Sequence, residues 1–150
     1  MAGYSGIYSV MLEGVSISGA DTLLEVVASA DQSVELLRIE VAQDSSTTST
    51  MQEIAIQTFS ATGTGTAETP TKHNPSSAAA GSTAKSAITV EGAGAAVIYR
   101  SAFNILNGWL YLPVPEERFV FNGGDVFGVT FIVAPDAAIT TSATLTFAEF

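Results

Sequence analysis

The chain has 150 residues, no cysteine, and 15 acidic against 5 basic side chains, for a net charge of −10. That length suits one ordinary domain, able to bury roughly 70% of its unfolded surface, while the missing cysteines exclude disulfides, thiolate nucleophiles and Cys-ligated zinc. The five cations (Arg38, Lys72, Lys85, Arg100, Arg118) are scattered, so there is no cationic patch for a phosphate backbone or an anionic bilayer.

Neither a nucleic-acid partner nor a membrane partner is therefore expected, and no run of about 18 apolar residues suggests a spanning helix. Charged residues are only 13% of the chain, about half the usual share near 25%. Serine and threonine together number 33. A surface that is polar but sparsely charged suits a protein whose neighbours cover part of it.

The opening MAGYSGIYSVMLEG has no cationic region and no continuous apolar stretch, so it does not read as a secretory signal, and synthesis in a cytoplasm is expected. Residues 1–9, rich in Gly, Ser and Tyr, are predicted to be an extended N-terminal arm, with Tyr4 and Tyr8 as candidate contact residues. Strand signals follow at 15–18 and 22–28, separated by Gly19-Ala20-Asp21. In VELLRIEVA, Leu37, Ile39 and Val41 share one parity with Arg38 and Glu40 on the other, as a half-buried strand requires. Val34 and Leu36 have the opposite parity, which predicts a bulge.

After a strand at 52–59 comes SATGTGTAETPTKHNPSSAAAGSTAK, residues 60–85, which contains no large apolar side chain. It reads as a long polar loop, either a loose insertion or a segment ordered by a partner. It carries Lys72 and the single histidine, His73, both candidate contact residues. Further strands are predicted at 86–91, 97–100, 103–112, 118–121, 126–133 and 139–149, with turns at Asn122-Gly123-Gly124-Asp125 and Ala134-Pro135-Asp136. Phe127, Val129, Phe131 and Val133 line one face of their strand; Ile139, Ala143, Leu145 and Phe147 line one face of theirs. Eight to ten short strands without helical periodicity predict a single all-β domain over 1–150, an antiparallel β-sandwich of jelly-roll-like type.

No constellation with catalytic spacing emerges. A lone loop histidine lacks a sequence-evident triad or metal partner, and Glu116-Glu117, adjacent on an extended chain, point to opposite faces. Asp44 to Thr50 and Asn122 to Asp125 lack the carboxylate spacing of a calcium loop. Gly63 and Gly65 come without a Walker lysine, and Gly92 and Gly94 mark close strand packing or a bulge. No catalytic residue, cofactor or metal is expected. The densest feature is FNILNGWLYLPVPEERFVF, where Trp109 and Tyr111 share one parity and Leu110 and Leu112 the other. With both faces apolar, Trp109 and Tyr111 are candidate interface residues.

The segments GTGTAETP, EGAGAAVIYRSAFNILNGWLYLPVPEER and ATLTFAEF resemble a family of small virion proteins of tailed bacteriophages, the capsid decoration or cement proteins. FNILNGWLYLPVPEER is the specific part. The resemblance implies a jelly-roll sandwich on the outer capsid surface of the virion, commonly a homotrimer, bound to the major capsid protein and made in the bacterial host cytoplasm. It brings no catalytic residues. The alternative function is a tail, fibre or carbohydrate-binding jelly-roll module, with Trp109, Tyr111, Asn104 and Asn107 as its platform.

Overall fold

The computed structural model describes residues 5–150. Its strands are β1 (Gly6–Ile17), β2 (Thr22–Val27), β3 (Val34–Gln43), β4 (Met51–Phe59), β5 (Thr64–Glu68), β6 (Thr71–Lys72), β7 (Thr83–Val90), β8 (Ala96–Asn104), β9 (Trp109–Tyr111), β10 (Val120–Phe121), β11 (Val126–Phe131) and β12 (Ile139–Glu149). They form two antiparallel sheets of six strands. The first runs β10-β3-β12-β1-β6, with β9 also on β3; the second runs β5-β7-β2-β11-β4-β8. The protein is an all-β sandwich.

Alternation along the strands creates the core. Tyr8, Val10 and Leu12 of β1, Ile39 and Val41 of β3, and Leu145 and Phe147 of β12 face inward from the first sheet. Leu24 and Val26 of β2, Ile54 and Ile56 of β4, and Phe127, Val129 and Phe131 of β11 meet them from the second. Phe121 and Phe127 stack at 3.9 Å across the two sheets. The bulge predicted in β3 is present: Thr146 pairs with Arg38 and Phe147 with Leu36, so Leu37 is the extra residue and Leu36, not Leu37, is fully buried. A second bulge, in β1, places Gly14 at φ +60.

Two predictions are corrected. The expected N-terminal arm is, from Gly6 onward, the start of β1, paired along β12 from Gly6↔Glu149 to Ile17↔Ile139. Tyr8 is 1% exposed and packs 5.7 Å from Phe147, so it is a core residue and not an external contact. Tyr4 lies outside the described residues. Residues 60–85 are not a structureless loop: they contain β5, β6 and the beginning of β7.

Lacking apolar mass, that segment is held by carboxylates. Glu25, 1% exposed on the face of β2 opposite Leu24 and Val26, accepts from Gly63 N at 3.1 and 3.2 Å and from the Thr62 hydroxyl. Glu149, also 1% exposed, accepts from Gly81 N at 3.1 Å and Ser82 N at 2.7 Å. Outside that segment, Glu91 accepts from Thr22 N at 2.7 Å at the start of β2. Gly63 and Gly65 serve close packing: a Cβ at either would lie 2.6 or 2.7 Å from a β7 carbonyl oxygen, of Val90 and Ser86 respectively.

Smaller departures have local causes. Val133, placed on the core face from its parity, lies beyond the end of β11 and is 50% exposed. The run 103–112 breaks into the end of β8, a turn, and β9, because the Asn104 side chain accepts from Leu106 N at 3.0 Å and Asn107 N bonds Asn104 O at 2.9 Å. Leaving the buried Ser82 N–H and the part-buried Gly81 N–H without their acceptor costs up to about 1–3 kcal/mol each. Glu149→Ala is therefore expected to lower the unfolding free energy by about 2–4 kcal/mol in urea titration, with Glu149→Gln losing less because one acceptor oxygen remains.

Candidate interaction surface

The motif that stood out in the sequence builds one edge of the sandwich. β9 pairs with β3 at Ile39↔Tyr111, Glu40↔Leu110 and Val41↔Trp109, and β10 rejoins the same strand at Val34↔Phe121 and Glu35↔Val120. Between them Leu36 N donates to Phe119 O at 2.9 Å. Residues 109–121 thus follow one edge of the first sheet, touching it at both ends. The middle, through the 3-10 turn Pro115–Glu117, has no buried residue.

Trp109 and Tyr111, in register with the inward residues Val41 and Ile39, meet Tyr99 of β8 from the other sheet. Tyr99 lies edge-on to Tyr111 at 4.9 Å and 6.4 Å from Trp109; Trp109 and Tyr111 stack at 6.1 Å. Tyr111 then stacks on Phe119 at 6.3 Å, and Phe119 leads to Phe121 at 6.4 Å. This aromatic ladder closes the edge of the sandwich, and such pairs add about 0.5–1.5 kcal/mol each beyond area burial. Trp109 is half-buried and Tyr111 buried, so the ladder presents Tyr99, 39% exposed, more than the two residues singled out in the sequence.

Several exposed apolar side chains lie next to the ladder: Leu110, Leu112, Val114 and Val120 on the 109–121 segment, and Val97 and Ile98 on β8; others, among them Met51 and Val90, are scattered elsewhere. A groove of about 410 Å³ is lined by Tyr99, Leu110, Tyr111, Leu112, Pro113, Glu117 and Phe119. β8 is the last strand of its sheet, and a bulge at Ile98 interrupts its pairing with β4. The sequence did signal Leu110 and Leu112 through their parity. It carried no signal for Tyr99, whose position beside β9 is a contact between sheets.

Lys72 and His73, also predicted as contacts, lie on the other side of the first sheet, away from this ladder. Lys72 donates to Pro75 O at 3.1 Å and Ser77 O at 2.9 Å, steadying its own turn. His73 Nε2 hydrogen-bonds the Ser9 hydroxyl at 2.5 Å, which in turn lies 3.1 Å from Thr146 Oγ1. This Ser–His pair sits within a strand ladder, Ser9 opposite both Thr71 and Thr146. Among the described residues no three His, Asp or Glu side chains cluster as a metal site would require. Of the residues suggested for a sugar platform, Asn104 is engaged with Ser49 Oγ at 2.6 Å and with its own turn, and the rings of Trp109 and Tyr111 stack on protein.

Two tyrosines connect this architecture to pH. Burial, then the nearby Glu149 charge, pushes the Tyr8 hydroxyl above its ordinary value of 10.0, while it donates to Ala78 O at 3.1 Å. Burial, then Tyr99 and Glu117, raises Tyr111 likewise. A folded pKa raised above the unfolded one means stability is intact below pH 10 and falls as pH rises through the folded value. Tyr8→Phe is expected to cost about 1 kcal/mol at neutral pH through the lost hydrogen bond and to flatten the decline in unfolding free energy above pH 10, measured by urea titration across that range.

Comparison with protein-family models, with curated proteins and with solved structures returns no match to this chain.

Proposed function

We propose that the chain is a virion structural protein of a tailed bacteriophage: a capsid decoration, or cement, protein that binds the outer surface of the head and stabilises the capsid lattice. In this reading the sandwich is of jelly-roll type, works as a homotrimer on the major capsid protein, and catalyses nothing. One observation carries it. Residues 103–118, which bear the resemblance to that family, also contain the short stretch 112–117 that leaves the sandwich edge, and they expose Leu110, Leu112 and Val114 together.

Supporting it, the rest of the molecule supplies a stiff frame. Apolar surface of this kind on a sparsely charged domain favours coverage by another protein. The neutral β8 side chains Val97 and Ile98 suit contact between copies, since a chain of net charge −10 repels its own kind elsewhere on its surface.

The test adds purified protein to undecorated phage heads. Saturable occupancy at capsomer junctions by cryo-electron microscopy, with a raised rupture temperature of the heads, is expected. Heads that stay bare at saturating protein reject the reading.

A further inference from the structure

We infer that Leu112–Glu117 is a preformed peg that docks on a different protein, one whose surface offers an apolar groove bordered by lysine or arginine. This rests on the proposed reading of the chain as a docking module and names the chemistry of its partner.

The first observation is backbone geometry. Pro113 and Pro115 fix their own φ angles, and between them Val114 sits at φ −64, ψ 155, the polyproline II region. Glu117 N closes the following turn on Val114 O at 2.9 Å, while Tyr111 before the segment and Phe119 after it are bonded to β3. An extended apolar segment held at both ends has already lost its conformational entropy in folding, so binding does not incur that cost again. Leu112 and Val114, 65% and 55% exposed, are the side chains it offers.

The second observation is charge. Glu116 and Glu117 follow at once, both exposed. The chain has only five cations, and each is engaged within it: Arg38 with Glu40, Arg100 with Glu53, Arg118 with Glu35, Lys72 with the carbonyls of Pro75 and Ser77, and Lys85 with the Thr62 hydroxyl and Gly63 O. A second copy would therefore set carboxylate against an acidic surface. A basic partner supplies the missing complement and is steered toward the peg as it approaches.

The test measures binding of the full chain to arrayed short peptides with one shared apolar centre, flanked either by Lys and Arg or by Asp and Glu, together with occupancy on undecorated heads. The wild type is expected to favour the basic-flanked peptides by about tenfold or more. Leu112→Ser with Val114→Ser should remove that binding at unchanged melting temperature, and Glu116→Gln with Glu117→Gln should weaken it and flatten its salt dependence. Equal binding to both peptide sets, or binding retained by the double serine variant, overturns the inference. So does self-association in sedimentation that the serine pair abolishes, which would make a second copy the occupant. Heads that take up wild type and serine variant equally refute the peg but keep the proposed function; heads that stay bare while the peptide preference holds refute that function but keep the peg.

Discussion

Two buried carboxylates set the terms on which this sandwich closes. Glu25 and Glu149 each accept backbone N–H groups, and the stretches they bind, at Gly63 and at Gly81–Ser82, have no large apolar side chains to hold them in place. A buried carboxylate is costly when it is unpaired, and a buried N–H likewise; placing one against the other removes both penalties together. That exchange allows a stretch as polar as residues 60–85 to supply β5, β6 and part of β7.

The opposite edge is closed by different means. There the ladder from Tyr99 through Trp109, Tyr111 and Phe119 to Phe121 and Phe127 joins the two sheets by ring contacts. Strong packing on both sides of residues 112–117 makes that short stretch stiff even though it contributes nothing to the core. Rigidity is borrowed from the frame, and the exposed side chains carry it outward.

Electrostatics divides the surface in the same way. With every cation engaged internally, the remaining carboxylates are uncompensated over most of the molecule, and the neutral or apolar positions along β8 and 109–114 stand out against that background. At physiological salt such fields act over about 8 Å, enough to bias which surfaces meet and in what order.

The sequence by itself determined the fold class and most of the core. Period-two alternation placed Ile39, Val41, Phe127, Phe131, Leu145 and Phe147 inside, and the parity break in VELLRIEVA foretold the β3 bulge. It also picked out 103–121, because a run apolar on both faces is visible without coordinates. What it could not give was the fate of the polar stretches. Residues 60–85 looked empty of structure because their order comes from hydrogen bonds to Glu25 and Glu149, 35 or more positions away, and hydrophobic patterning carries no trace of such bonds. Tyr8 read as part of an arm because its burial depends on β12, the last strand to be made. Tyr99 joined Trp109 only through the facing of two sheets. Local periodicity reports which side of a strand is apolar; the tertiary structure decides what that side meets.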